Sequence, residues 1–168
     1  MLGWFNLDQG ARGEADALLH ALAMRLTAEG WHLAGAVQSN LNRTAHSPCD
    51  MELHLLGRAR APVRISQSIG AGATGCRLDG GALARVAGWV ESDLDAATPD
   101  LLIVPKFGRQ EAAGGGFRQA IAQAICAEVP VLLHVPVQQR DAFLQFSDGF
   151  AQQIEPQDLP AWCAGLRT

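Results

Sequence analysis

Short uninterrupted apolar runs alternate along the chain with stretches in which apolar residues recur every third or fourth position. The runs "LGWFNL" (2–7), "HLAGAV" (32–37), "LLIV" (101–104) and "VLLHV" (131–135) predict strands, the first weakened by Gly3. Leu18, Leu19, Leu22 and Leu26 predict a helix that Asp16 caps and Gly30 ends. Leu83, Val86, Ala87, Val90 and Leu94 predict a second helix over 81–96. Phe117, Ile121 and Ile125 predict a third over 115–127, opened by the triple glycine Gly114 to Gly116. The segments "MELHLL" (51–56) and "VRISQ" (63–67) alternate and predict a hairpin joined through Gly57 and Pro62. A short helix over 140–146, an edge strand over 151–155 and a helix over 159–166 complete the reading. The polar stretches 8–16 and 38–50 and the glycine-rich stretch 70–75 read as loops.

A strand, a glycine-bearing loop, a helix and then further buried strands predict one α/β domain: a mainly parallel sheet covered on both faces, with a β-hairpin insertion. Such sheets hold ligands in crevices at the carboxyl ends of their strands. That rule brings together 8–16, 38–40, 105–111 and 136–140.

Composition narrows the function classes. The chain has 168 residues, 48% of them apolar, with 13 basic and 17 acidic residues. A net charge of −4 gives no basic surface for nucleic acid. No apolar run approaches the roughly 20 residues that span a bilayer. The N-terminus lacks a basic segment and an apolar signal stretch, so a cytoplasmic location is expected. Cys49, Cys76, Cys126 and Cys163 form no C-x-x-C pair and read as free thiols. Cys126 falls in the apolar pattern of the third helix and reads as core; Cys76, beside glycines and Arg77, is the one to test for reactivity. The five histidines show no ligand spacing, and His54 and His134 read as hydrogen-bonded strand residues. The four tryptophans are scattered and read as core or dimer contacts.

The first loop has the position of a phosphate loop without its chemistry. The working pattern is G-x-x-x-x-G-K-[ST], in which glycines let backbone N–H groups wrap a phosphate, lysine neutralises charge and a hydroxyl holds magnesium. In "DQGARGEA" Gly13 stands at the second glycine, Glu14 at the lysine and Ala15 at the hydroxyl. A plain polar turn remains an equal reading of this stretch.

The segment "DLLIVPKFGRQEAAGGGFRQAI" resembles the stretch of the small THEP1-type nucleoside triphosphatases that reads D-hydrophobic-D-E-I-G-x-x-E with a later phenylalanine. Asp100, Gly108, Glu111 and Phe117 match without a gap, while the paired acids fall on Pro105 and Lys106. In those enzymes the first acid helps hold magnesium and the second activates water, so the resemblance implies that both roles are missing here. The stretches "LAGAVQSN" (33–40) and "PVLLHVP" (130–136) are similar to strands of that family. From residue 16 to 149 the chain more closely resembles the bacterial family of unknown function DUF2478. The shared motifs are "GAVQ" (35–38), "ISQSIG" (65–70), "GCRLD" (75–79), "KFGRQEA" (106–112) and "GGGFR" (114–118). The resemblance implies a P-loop NTPase-like fold with a degenerate phosphate loop. It also implies an association with molybdate-transport genes, but no activity.

Glu14 and Lys106 are complementary losses. One reading is that the positive charge has moved to Lys106, which binds an anion without magnesium. Arg12, Arg77 and Arg118 are candidate helpers, because guanidinium forks suit oxyanions. Gln9, Gly10, Gly13, Gln38, Ser66, Gln67 and Gly108 complete the candidate site, with Glu14, Arg77, Asp79 and Glu111 in support. Arg77 and Asp79 read as a local ion pair, and Glu111 as a cap on the glycine-rich helix start. The other reading is a Glu14–Lys106 salt bridge that plugs the old site. The function expected is a non-hydrolysing nucleotide- or oxyanion-binding protein, accessory to molybdenum metabolism, with nucleotide or molybdate as ligand. The alternatives are an inactive relative that binds a protein partner through 38–50, and an enzyme on a phosphorylated substrate with Glu111 or Asp8 as base. A homo-oligomer is compatible with each reading.

Overall fold

The computed structural model describes residues 1–7, 13–41, 50–67 and 78–167. Seven strands form one sheet in the order β4-β3-β2-β5-β6-β1-β7. They are β1 (Leu2–Phe5), β2 (Leu33–Leu41), β3 (Asp50–Leu55), β4 (Val63–Arg64), β5 (Leu101–Val104), β6 (Val131–His134) and β7 (Ala151–Gln153). The β2-β5-β6-β1-β7 portion is parallel. The helices are α1 (Glu14–Ala28), α2 (Gly80–Ala96), α3 (Arg109–Ala112), α4 (Arg118–Cys126), α5 (Arg140–Ser147) and α6 (Leu159–Gly165).

The alternating strand pattern sends side chains into two cores, one on each face of the sheet. On one face Phe5, Leu33, Leu101, Ile103 and Leu132 meet Leu19, Leu22 and Leu26 of α1 and Leu159 and Cys163 of α6. On the other, Leu102, Val104, Val131 and Leu133 meet Val86 and Val90 of α2, Ile121 and Ala124 of α4 and Phe143 of α5. This is the three-layer, mainly parallel α/β arrangement that the apolar runs predict. β5 is buried along its whole length, as a strand covered on both faces must be.

The predicted hairpin is present: β3 and β4 pair antiparallel through Glu52 with Arg64 and Leu53 with Val63. Arg58 and Arg60, from the connection between these strands, both bind Asp93 of α2 and tie the hairpin to the helix layer.

Four readings change. β2 does not stop at Val37; Gln38, Ser39, Asn40 and Leu41 continue it, pairing antiparallel with Leu53, Glu52, Met51 and Asp50. A ladder uses backbone groups, so polar side chains do not interrupt it. The triple glycine does not open a helix; it links α3 to α4, and Gly114 and Gly116 take φ of 97° and 54°. Asp16 does not cap α1, because Gly13 holds the N-cap position with φ 87° and Asp16 lies inside the first turn. Cys126 is exposed rather than core. The buried face of α4 is Ala120, Ile121 and Ala124, and Cys126 lies two residues past it. The readings that rest on Asp8, Gln9, Gly10, Arg12, Cys49, Cys76, Arg77 and the 70–75 loop lie outside the described residues.

Candidate functional site

At the carboxyl end of the parallel strands, α1 and β2 are joined by a polar network. The extra residues of β2 put Gln38 and Asn40 on one strand face, two positions apart. Asp16 Oδ2 accepts from Asn40 Nδ2 at 2.6 Å and from Gln38 Nε2 at 3.2 Å. Gln38 Nε2 also donates to Asn40 Oδ1 at 2.9 Å. Gln38 is only 3% exposed, so these bonds satisfy an amide that water cannot reach. A side chain at Gly13 would place Cβ 3.1 Å from Asn40 Nδ2, so the Asn40 amide lies over the start of α1. Burial pushes the Asp16 carboxyl above its usual range. The Asn40 hydrogen bond and the charge of Lys106 pull it down without cancelling that effect.

Lys106 follows β5 by two residues and is half-buried. It is the only lysine in the chain. Among the described residues it forms no ion pair; in particular none joins it to Glu14. Its charge acts on the Asp16 carboxyl. The plug expected between Glu14 and Lys106 is therefore not formed by those two residues.

Lys106 and Gln38 stand at a crevice of about 60 Å³ whose walls are mainly apolar, from Leu53, Ile65, Leu78, Leu83 and Phe117. Each of the five sequence motifs contributes at least one lining residue: Gln38, Ile65, Leu78, the 106–111 stretch and Phe117. Its volume is well below the roughly 300–1,000 Å³ of a pocket for a drug-sized ligand. It suits a small group.

Glu111 fixes the backbone that carries Lys106. It is 3% exposed. Its Oε2 accepts from Gly108 N at 2.8 Å and its Oε1 from Phe117 N at 3.0 Å. One carboxylate thus ties the starts of α3 and α4, the capping role the sequence suggests. With both oxygens engaged, Glu111 is a poor candidate for a general base.

Other candidates have local duties. Arg118 donates to the Glu111 carbonyl at 3.1 Å and lies over the Phe146 ring at 4.5 Å. It is not among the crevice residues. Ser66 Oγ accepts from Met51 N at 3.1 Å and donates to Asp50 Oδ1 at 3.3 Å, where Arg64 also binds at 2.6 Å. Gln67 is exposed beyond this bridge. Asp79 caps α2 by accepting from Ala82 N at 2.9 Å. His54 Nε2 bonds Ser39 Oγ at 2.7 Å, as expected of a strand histidine. Among the described residues no cluster of three His, Cys, Asp or Glu is placed to hold a metal. Sequence reasoning brought 38–40 beside 8–16 but did not single out Asn40, and it took Asp16 for a helix cap. Only the continuation of β2 past Val37 brings them together.

The two described thiols should react very differently. Burial pushes Cys163 up to about 11. Brief maleimide treatment at pH 7.5, followed by peptide mass mapping, should label Cys126 while Cys163 stays unmodified. Equal labelling of the two in native protein would contradict the placement of α4 and α6.

The sheet order, the helices on both faces and a glycine-led helix after β1 define a P-loop NTPase-like α/β fold. The chain is similar over its length to the structure of THEP1 from the hyperthermophile Aquifex aeolicus, with a TM-score of 0.63, 14% identity and coverage of 98% of this chain and 95% of that one. The match to the family described as "Protein of unknown function (DUF2478)" runs over residues 7–162, and the chain belongs to that family. It is also 35% identical over 151 residues to the "Molybdenum import ATP-binding protein ModC 2" of Bradyrhizobium diazoefficiens. That match covers 89% of this chain but only 17% of the relative.

Proposed function

We propose that this chain is a single binding domain for a nucleotide or small oxyanion, that it does not hydrolyse nucleoside triphosphates, and that it serves a molybdate importer's ATPase. The observation that carries the reading is Lys106: the chain's only lysine, half-buried at the carboxyl end of β5 and without an ion-pair partner among the described residues. A half-buried ammonium that forms no ion pair with a described residue gains from an anion that supplies one. Gln38 lines the same crevice, with its Nε2 already donating to Asp16 and Asn40. Proline and lysine stand where the resemblance to THEP1-type enzymes would put acids, which supports binding without magnesium-assisted hydrolysis. The importer link is supported by the name of the ModC 2 relative, a longer protein with a region like this chain.

Thermal unfolding with phosphate, molybdate, tungstate, ATP and GTP, each with and without magnesium, tests the reading. A ligand bound only by the folded state raises Tm. The expected result is a magnesium-independent rise for at least one anion, about 2.7 kcal/mol of stabilisation at 100 times Kd, lost in Lys106→Ala. Lys106→Ala itself should change the ligand-free Tm little, because no described ion pair is broken. A flat response to every anion, with a large destabilisation by Lys106→Ala, contradicts the reading and favours a plugged partner-binding domain.

A further inference from the structure

The crevice that Lys106 lines has an inside and a mouth of opposite character. Leu53 of β3, Ile65 just after β4, Leu83 of α2 and Phe117 at the start of α4 form its walls, and all four are buried in one core. Leu78 completes the wall and is half-buried. Gln38, Lys106, Arg109, Gln110 and Glu111 also belong to the lining, yet the inner surface is almost wholly apolar. Their polar ends are therefore turned elsewhere, and their aliphatic stems face inward. Two of those ends have known partners. Gln38 gives its Nε2 to Asp16 and Asn40, and the Glu111 carboxylate accepts from Gly108 N and Phe117 N. Lys106 is half-buried, Arg109 is exposed, and neither forms an ion pair with a described residue. Two cations thus stand at the mouth of an apolar slot.

Neither a bare inorganic oxyanion nor a nucleoside fits the slot itself. The first would trade its water for walls that offer no hydrogen bond. The second is too large for about 60 Å³. A short alkyl group does fit, because that space is about twice the roughly 30 Å³ of one water in the liquid, and a methylene is of similar size. Resting on the anion-binding reading above, we propose that the site takes an oxyanion head joined to an alkyl tail of about two or three carbons, of the short-chain carboxylate or phosphonate class. Lys106 and Arg109 meet the head at the mouth, where water still reaches it. The tail enters the slot and exchanges water for contact with core side chains on several sides. Gly108 and Phe117 both line the slot and are both held by the Glu111 carboxylate, so its shape is set before a ligand arrives. The depth of the slot then limits the length of the tail.

Calorimetric titration of the wild type at pH 7.5 with phosphate and with methyl-, ethyl-, propyl- and hexylphosphonate tests this. Affinity is expected to rise about three- to fourfold for each carbon that enters the slot, so propylphosphonate should bind about 10-fold or more tighter than methylphosphonate. The gain should stop there, with hexylphosphonate no tighter than propylphosphonate, because further carbons stay in water. Formate, acetate, butyrate and heptanoate repeat the series on a carboxylate head, and the tighter series names the head. 1-Propanol carries the tail without the head and should not bind. Lys106→Ala should weaken every member of both series. Leu78→Phe puts a ring into the slot and should remove the dependence on tail length; the wild-type series stands whether or not this variant folds. Lys106-dependent binding that is the same for phosphate and every tailed anion overturns this proposal and leaves the anion site standing. So does a gain that continues to hexylphosphonate, a tail dependence unchanged in folded Leu78→Phe, or 1-propanol binding as tightly as propylphosphonate. Wild-type binding of no anion, tailed or not, overturns the anion reading itself, and this proposal with it.

Discussion

Gly35→Ala is expected to be the most damaging glycine-to-alanine change among the described residues. Gly35 sits in β2 with φ of 100°, opposite Ile103 of the buried strand β5. An added Cβ would stand 1.9 Å from the Ile103 carbonyl oxygen and 2.9 Å from its carbon. Those atoms are backbone, and β5 is held by β2 on one side and β6 on the other, so neither strand can yield alone. Left-handed strain at a residue with a side chain costs about 1–3 kcal/mol, and forced overpacking adds about as much. A loss of roughly 2–6 kcal/mol is a large part of the about 5–15 kcal/mol that holds a typical domain folded. Urea denaturation followed by circular dichroism gives the value. Gly88→Ala is the control: it lies within α2, nothing stands within 4 Å of its added Cβ, and a gain of about 0.5–1 kcal/mol is expected. Equal midpoints for the wild type and Gly35→Ala would contradict the close approach of β2 to β5.

Glu111→Ala should follow, with a loss of about 2–5 kcal/mol. The estimate counts two backbone N–H groups, of Gly108 and Phe117, that lose their acceptor. Gly116 adds a constraint from the other side. A Cβ there would stand 2.0 Å from Glu111 Oε1, so the carboxylate fills the space that glycine leaves open. Glu111→Gln retains one acceptor oxygen and should lose less than the alanine variant. Equal losses in the two variants would mean that the side chain acts by filling space and not by accepting these bonds.

The sheet and its covering helices were legible because burial writes its period into sequence. "LLIV" became a fully covered central strand and "VLLHV" one in which His134 alone is partly exposed, and the apolar stripes of α1 and α2 face the sheet as their spacing requires. What was hidden depends on groups that have no apolar period. Gln38, Ser39 and Asn40 read as a loop because they are polar, yet they supply three of the six positions at which β2 pairs with β3. α3 is four residues long and is anchored by the Glu111 carboxylate, a tertiary contact rather than a propensity. Cys126 was placed in the core because its neighbours are apolar; its angle around α4 turns it outward.

The candidate site was legible in the same uneven way. Lys106, Gln38, Gly108 and Glu111 were identifiable because each breaks or completes a motif, and all four line the crevice. Ser66 was singled out at a strand end and Asp79 as an ion-pair partner of Arg77; Ser66 accepts from Met51 N and Asp79 from Ala82 N. Asp16 and Asn40 are 24 positions apart in sequence, and the strand-end rule brings their segments together without singling out the pair. Only the length of β2 brings them within 2.6 Å of one another.

Because Lys106 is the only lysine, protein grown with carbon-13 lysine gives one Cε–Hε signal that reports on the site without assignment. Titrating magnesium-free protein with phosphate, molybdate and ATP while following that signal is the direct test of the anion site. A saturable shift with at least one of them, unchanged when magnesium is added, is the predicted result. A signal that stays fixed with every anion, or that moves only when magnesium is present, would contradict the claim that a cation has taken over the metal's end of this fold.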